Sequence, residues 1–377
     1  MNKERPFPEE LLLQSSQIKT SYFKSITVPH KKLKRALDTL LLNILEPADT
    51  LVFLVFGVTG VGKTTLRLRL EKLLSEEFIA DIQSNPGQIA VAGLEAIPAE
   101  RGNFSYKDYY TRALEALKEV LVEYKVNYGL TEPDSQELKH DYHINGKDSP
   151  ALRRAMEKVF RYRQIKAFTV DEAQHLLMIS GGHQMLQQMN WIKSIANLTG
   201  TIHILFGTYE LLNCPTLNGQ VGRRSEDIHL SPYYADQPED VAEFIRVTNT
   251  FQRHLPLQKE PDLEKHYEYL LEGSVGCVGI LKNWLTRSLR VALAESATTL
   301  TTSHLKQGAF GASRINKIRS EAQQGERRLL ESEGLSFHLE SSNVSNNQAV
   351  NKSSTKKGRV GQRNPKRDAV GMKQYDS

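Results

Sequence analysis

Cysteine is scarce in this sequence. Only Cys214 and Cys277 occur among 377 residues. So small a number excludes a scaffold held together by several disulfides, and it is typical of proteins in a reducing compartment. We therefore expect the protein in the cytoplasm, with each cysteine acting as a small core residue and not as a reactive thiol.

Long hydrophobic runs are also missing. The longest, at residues 51–57, is too short to cross a bilayer. The charged start, residues 1–6, is not followed by the apolar segment of a signal peptide. We therefore expect no membrane partner. The composition, 39% hydrophobic and 25% charged residues, is typical of a soluble globular protein.

An excess of positive charge exists only near the C-terminal end. The whole chain carries +5, but residues 341–377 contain eight Lys or Arg and two Asp. This segment therefore carries +6, and residues 1–340 carry −1. Because it contains few large apolar residues, we predict that the tail is disordered. Two interpretations stay open: an arm that binds a partner or DNA, or a tail that only aids solubility.

Strand and helix patterns alternate over the first two thirds of the chain. The unbroken apolar run at residues 51–56 predicts a buried strand of a parallel sheet. Such alternation implies right-handed crossovers and helices on both faces of the sheet. The predicted strands are at residues 51–56, 88–96, 166–170, 201–206 and 226–230. The main predicted helices are at residues 29–44, 65–78, 105–124, 150–164, 173–178 and 183–198.

The flanking regions differ from this α/β part. Residues 1–27 have little periodicity and predict a polar extension, after which Thr27 or Val28 is expected to cap the first helix. From Pro238 onwards only helical patterns occur, which predicts a small all-α domain. The predicted domains are an extension at 1–27, an α/β domain at 28–235, a helical lid at 236–335 and a basic tail at 336–377.

One loop carries the strongest motif. Residues 57–64 read GVTGVGKT, which matches G-x-x-x-x-G-K-[ST] between a strand and a helix. The glycines let backbone N–H groups surround a phosphate, and the positive end of the next helix points at the same anion. Lys63 is expected to reach the β- and γ-phosphates of ATP, and the Thr64 hydroxyl to bind Mg²⁺. The predicted nucleotide-binding residues are Gly57, Thr59, Gly60, Val61, Gly62, Lys63, Thr64 and Thr65.

A second element is typical of a Walker B motif. The apolar strand at 166–170 is followed by Asp171 and Glu172. Asp171 is the predicted partner of Mg²⁺, and Glu172 the predicted general base that polarises the attacking water. The second carboxylate predicts hydrolysis as well as binding. The alternative is a solvated acidic start of a helix.

Two further catalytic candidates follow later strands. Thr208 lies where the fourth strand ends, so its hydroxyl is a candidate contact of the γ-phosphate or the lytic water. An equally good interpretation is a cap of the next helix. Arg223 and Arg224 precede the fifth strand and are candidates for an arginine finger that reaches a neighbouring subunit. The alternative is a pair of solvated arginines.

Together these features resemble an AAA+ ATPase over roughly residues 28–335. The resemblance implies a P-loop parallel sheet of order 5-1-4-3-2, a helical lid, and ATP bound between subunits of a ring or spiral. It favours the arginine-finger interpretation of the Arg pair. Residues 279–282, Gly-Ile-Leu-Lys, resemble the sensor 2 region, which implies a nucleotide contact for Lys282 where Arg is usual. Thr208 similarly replaces the usual Asn.

Within AAA+ proteins, several strings resemble the TnsC/TniB ATPases that regulate transposition. They are Asp171-Glu172-Ala173-Gln174-His175, Leu205-Phe206-Gly207-Thr208, the segment 104–117, and Gly273-Ser274-Val275-Gly276. This resemblance implies ATP-dependent self-assembly on double-stranded DNA as a ring or filament. It also implies docking to a target-selection protein and to transposase subunits.

DNA binding without sequence preference requires cationic or hydroxyl groups that face phosphates. The family resemblance implies contacts after the second strand, and the helix before Asp171 offers a second set. Each candidate alone also fits a solvated surface residue. The candidates are Arg101, Ser105 and Lys107, and then Arg153, Arg154, Arg161 and Arg163.

Two other function classes are compatible with a P-loop. An initiator-like or STAND-like switch would act on protein partners without polymerising on DNA, but it usually carries a further winged-helix or repeat domain. A metabolic kinase would transfer phosphate to a small molecule. The Asp171–Glu172 pair, the Arg pair and the helical lid argue against the kinase.

Overall fold

A five-stranded parallel sheet forms the centre of the molecule. The computed structural model describes residues 5–98, 104–119, 122, 149–177, 182–213 and 225–332. The strand order is β2-β3-β4-β1-β5, which confirms the expected order 5-1-4-3-2. The strands are β1 (Val52–Phe56), β2 (Val91–Glu95), β3 (Ala167–Asp171), β4 (Ile202–Gly207) and β5 (Ser225–His229).

Burial of the strands follows their place in the sheet. The three central strands β3, β4 and β1 are buried along their whole length. Their apolar runs have no polar alternation, because helices cover both faces of a parallel sheet. The edge strands β2 and β5 keep exposed positions, such as Glu95 and Asp227.

Thirteen α-helices surround or follow the sheet among the residues described. Those that precede β5 in the chain are α1 (Ser16–Ser25), α2 (Lys31–Leu45), α3 (Lys63–Glu77), α4 (Ile79–Ser84), α5 (Tyr106–Ala116), α6 (Ser149–Tyr162), α7 (Gln174–Leu177) and α8 (Gly182–Thr199). The later helices are α9 (Pro238–Arg253), α10 (Tyr267–Ser274), α11 (Val278–Ala294), α12 (Thr302–Gly308) and α13 (Ala312–Ser332). Short 3-10 helices occur at Glu9–Leu13, Tyr209–Asn213 and Glu264–His266.

The later helices have a hydrophobic core of their own. It contains Phe244, Phe251, Trp284 and Leu289, all less than 2% exposed. The indole N–H of Trp284 donates to the carbonyl of Leu305 at 2.7 Å, so the polar atom of this large side chain is satisfied. The helical pattern predicted after Pro238 is therefore present.

The N-terminal segment differs from the expected polar extension. Ser15 caps α1 by accepting from the amide of Ile18, and Phe23 on α1 is completely buried. Phe23 and Val28 belong to the core of the later helices. The sequence pattern missed this helix because its apolar residues are few, and their partners lie more than 200 residues away in the chain.

Helix boundaries also depart from the sequence expectation in two places. α2 begins at Lys31 and not near Thr27, because the side chain of His30 accepts from the amide of Leu33 and so acts as the cap. α5 ends at Ala116, well before the expected residue 124, and Lys118 adopts a left-handed backbone with φ of 55°. The predicted cap of α5, Ser105, is confirmed.

The chain divides into two units, residues 1–335 and residues 336–377. The predicted disordered tail, the second unit, lies outside the described residues. Within the described residues, no helix is both long and apolar enough to cross a bilayer.

Candidate active site

The phosphate loop connects β1 to α3. Gly60 has φ of 84° and Gly62 has φ of 120°, backbone conformations that favour glycine. Gly62 is the N-cap residue of α3 and offers no side-chain hydrogen bond. The first amides of a helix have no partner within that helix, so those of α3 are free to bind an anion.

Lys63 lies at the start of α3 with its side chain folded onto the loop. Its ammonium donates to the carbonyls of Gly57 at 2.8 Å and Val58 at 3.2 Å. Burial lowers the pKa of Lys63, and the nearby carboxylates of Glu172, Glu321 and Asp171 partly oppose this shift. The structure therefore holds a buried cation beneath the phosphate loop.

The lid contacts the loop directly through two glycines. The amide of Gly279, in the first turn of α11, donates to the carbonyl of Gly60 at 3.0 Å. A Cβ atom on Gly279 would lie 2.6 Å from that oxygen, so only glycine permits this approach. Next to it, burial raises the pKa of Cys277 to about 12, which fits the predicted small core residue. Cys214 lies outside the described residues.

A small cavity adjoins the loop on the lid side. Its walls come from the N-terminal segment, α3 and α11, and include Thr27, Val28, Thr65 and Val278. Lys282 also lines it, with its ammonium donating to the carbonyl of Lys24 at 2.6 Å. The N-terminal wall was missed by sequence reasoning, because no local motif marks it.

Asp171 and Glu172 lie at the end of β3. Asp171 is 4% exposed, and one of its oxygens accepts from the amide of Glu172 at 3.0 Å. Glu172 has φ of 50°, an uncommon conformation for a side chain of this size. Arg67 of α3 places Nε 3.2 Å from the other Asp171 oxygen and also bonds Glu71. Nothing in the sequence motif indicated Arg67.

Gln174 connects Glu172 to the end of β4. Its Nε2 donates to Glu172 Oε2 at 2.5 Å, and its Oε1 accepts from the amide of Thr208 at 3.2 Å. Gln174 belongs to a segment that resembles a known family, but the sequence alone indicated no role for its side chain.

Thr208 adopts the geometry of a cap. Its hydroxyl donates to Glu210 Oε2 at 3.3 Å, and it lies 3.4 Å from the Glu210 amide. Its carbonyl accepts from Leu211. Of the two interpretations of Thr208, the described contacts correspond to the cap of the 3-10 helix at Tyr209–Asn213.

Glu321 reaches the loop from α13. Its Oε1 accepts from the amide and the hydroxyl of Thr59, each at 3.3 Å. α13 is held there by a hydrogen bond from the Tyr234 hydroxyl to Glu326 at 2.6 Å. Glycine at 325 permits close packing on the ring of Tyr209. No sequence pattern predicted that α13 would contact this loop.

The predicted DNA contacts differ in availability. Lys107 is exposed on the first turn of α5, next to Ser105, whose hydroxyl caps that helix. Arg153 is instead engaged with Glu157 at 2.7 Å and Ser194 at 3.1 Å. Three further arginines donate to backbone carbonyls of Pro150, Leu198, Gly87 and Lys118; they are Arg154, Arg161 and Arg163.

Three predicted site residues lie outside the described residues. They are Arg101, Arg223 and Arg224. Their assignments as DNA contact and arginine finger stay predictions.

The donor set at the loop suits Mg²⁺ bound together with phosphates. The exposed hydroxyl of Thr64 and the carboxylate of Asp171 are oxygen ligands of the kind Mg²⁺ prefers. Among the residues described, no cluster of three or more His, Cys, Asp or Glu is arranged to hold a metal ion by itself.

A family model described as an AAA domain matches residues 48–214. By this match, the segment is similar to an AAA domain. The match covers β1 to the 3-10 helix after β4, which includes the phosphate loop and the Asp171–Glu172 pair. It spans less than half of the chain.

Solved structures of similar fold share little sequence with this chain. One of them is a Walker-type ATPase of Pyrococcus abyssi, which is 15% identical. The alignment covers 83% of this chain and 80% of that protein, with a TM-score of 0.43. The ADP form of the Aeropyrum pernix ORC2 protein is 13% identical; the alignment covers 84% of this chain and 89% of that protein, with a TM-score of 0.49. A structure of Drosophila ORC bound to DNA is also 13% identical; the alignment covers 89% of this chain and 84% of that chain, with a TM-score of 0.45.

No curated protein matches the sequence significantly.

Proposed function

We propose that this protein binds and hydrolyses ATP and uses the cycle to regulate DNA transposition. In this proposal it oligomerises on double-stranded DNA and links a target-selection protein to transposase subunits. Its domains are the α/β domain at 28–235 and the lid at 236–335, with the extension at 1–27 and the tail at 336–377.

The observation that carries the ATPase proposal is the convergence of the phosphate loop with the end of β3. The buried ammonium of Lys63 lies in the field of Asp171 and Glu172. The loop supplies the backbone conformation and the helix terminus that bind a triphosphate. This arrangement supports the proposal of a hydrolytic P-loop site.

Each residue has a distinct role in the proposed reaction. Lys63 exchanges its two carbonyl acceptors for phosphate oxygens. Thr64 and Asp171 would hold Mg²⁺, which would supply positive charge next to the phosphates. Glu172 accepts the proton of the attacking water as general base. Lys282 and the cavity walls contact the remainder of the nucleotide.

The transposition role rests on the sequence strings around Gln174 and Thr208 and on the availability of Lys107. The exposed Lys107 at the start of α5 is suited to DNA phosphates, which are recognised without base contacts. Arg223 or Arg224 of one subunit is proposed to reach the nucleotide of the next. Such a site would be complete only in an oligomer.

Phosphate release assays test the ATPase proposal. We expect Lys63→Ala to abolish nucleotide binding, and Glu172→Gln to bind ATP but lower kcat by at least about 100-fold. Chelation of Mg²⁺ with EDTA should stop hydrolysis. Lys72→Ala is the matched control, because Lys72 is exposed on the same helix, 63% by side chain. Undiminished hydrolysis in Glu172→Gln would contradict the role of the carboxylate.

Electron microscopy tests the DNA proposal. With a non-hydrolysable ATP analogue and duplex DNA, we expect rings or filaments that enclose the duplex and are lost in Lys63→Ala. Monomers that ignore DNA while hydrolysing ATP would favour the other candidate, an initiator-like or STAND-like switch that acts on protein partners.

A further inference from the structure

We propose that Gln174 is a positioning residue that sets the orientation of the Glu172 carboxylate for hydrolysis. This inference rests on the proposed function of Glu172 as general base. It assigns a role to a side chain that lies between two strand ends of the sheet.

The geometry is that of a bridge. The two ends of the Gln174 amide are used at once: the donor binds Glu172 Oε2 at 2.5 Å, and the acceptor binds the Thr208 amide at 3.2 Å. The carboxylate at the end of β3 is thereby tied to the backbone at the end of β4. Because only Oε2 is engaged by Gln174, Oε1 is left to accept a hydrogen bond from water.

The surroundings hold this side chain in one place. Gln174 is 5% exposed. A Cβ atom on Gly207 would lie 2.7 Å from Gln174 Oε1, so the strand end leaves room for the amide only because residue 207 is glycine. The amide of Ala173 also donates to the carbonyl of Phe206 at 2.8 Å, which fixes the backbone before Gln174 to the same strand.

The charge of the side chain matters as much as its shape. Glu172 is close to the carboxylate of Asp171 and within the field of the Lys63 ammonium. A neutral amide donor orients the Glu172 carboxylate without adding a charge that would repel or neutralise it. Glu172 also has a left-handed backbone, which persists only where its surroundings constrain it.

Two substitutions separate the two hydrogen bonds. Gln174→Met keeps the length of the side chain but removes both bonds. Gln174→Glu keeps an acceptor for the Thr208 amide but places a carboxylate against Glu172. Gln307→Met is the matched control, because Gln307 is exposed on α12 of the lid.

We expect Gln174→Met to lower kcat for ATP about 10- to 100-fold while the ATP dissociation constant stays within about twofold, because the base is misplaced but the loop is intact. Gln174→Glu should lower kcat at least as much as Gln174→Met does. In a Glu172→Gln background, Gln174→Met should cause no further loss, because a positioning residue acts only through its base.

The outcomes distinguish this inference from the proposed function. Normal kcat in Gln174→Met or in Gln174→Glu, with Glu172→Gln inactive, overturns the positioning role alone. If the losses of kcat add in the double variant Glu172→Gln/Gln174→Met, the positioning role is also overturned, because Gln174 then acts independently of Glu172. Normal hydrolysis in Glu172→Gln overturns the proposed function and this inference with it. Thermal unfolding of each variant separates a folding defect from a kinetic one.

Discussion

Individual residues near the phosphate loop compete for the same positions that a triphosphate needs. The carboxylate of Glu321 accepts from the amide and hydroxyl of Thr59, and it lies within the field of Lys63. An anionic side chain at an anion-binding loop satisfies the loop in the absence of phosphate. It also repels a phosphate that approaches the loop.

We therefore predict that Glu321→Gln strengthens ATP binding, by a factor on the order of 10, because it removes one negative charge near the loop. Titration with a fluorescent ATP analogue measures the change. Glu331→Gln, exposed on the same helix, is the control and should leave the affinity unchanged. Equal affinities of Glu321→Gln and the native protein would show that this carboxylate does not compete with the nucleotide.

At the scale of secondary-structure elements, three distant parts of the chain meet the loop. α11 contacts it through Gly279, α13 through Glu321, and the segment after α1 lines the adjoining cavity with Thr27 and Val28. The lid is therefore in direct hydrogen-bond contact with the loop, and its position depends on how closely two backbones approach.

Gly279→Ala is predicted to weaken both the fold and nucleotide binding. The new Cβ would lie 2.6 Å from the Gly60 carbonyl, a backbone atom that cannot rotate away. The cost should be about 1–3 kcal/mol in the free energy of unfolding, despite the higher helix propensity of alanine. Urea unfolding and ATP titration measure the two effects.

Gly311→Ala supplies the comparison for this variant. Gly311 lies between α12 and α13, and a Cβ there meets no atom within 4 Å. We expect it to cost no more than about 1 kcal/mol and to leave ATP affinity unchanged. A similar loss of affinity in both variants would argue that the lid contact at Gly60 is unimportant.

At the scale of the whole molecule, charge is unevenly distributed. Residues 341–377 carry +6 and the preceding residues carry −1, so the proposed DNA binding by residues 1–340 would depend on local groups such as Lys107. Paired or engaged cations such as Arg153 contribute less to phosphate binding, because their partners compete.

Lys107→Ala is predicted to weaken duplex binding. The slope of log binding constant against log salt concentration should become shallower by about one, as expected when one phosphate contact is lost. Fluorescence anisotropy at several salt concentrations measures the slope. Lys306→Ala, exposed on α12, is the control. If Lys107→Ala leaves the slope unchanged, Lys107 is not a phosphate contact.

Much of the fold and of the candidate site could be predicted from sequence. The strands, the phosphate loop and the pair Asp171–Glu172 are local patterns of a few consecutive residues, and the family resemblance supplied the order of the strands. Errors fell on α1, where few apolar residues mark a helix, and on the end of α5, where the backbone turns left-handed at Lys118.

By itself the sequence determined the candidate phosphate-binding loop and the strands around it, because periodicity and loop motifs act within one element. Only the tertiary structure decided what else reaches the loop. Thr59 and Glu321 are 262 residues apart, and the amide of Gln174 meets Thr208 across 34 residues. Contacts at such separations depend on how the whole core packs, and no spacing along the chain encodes them.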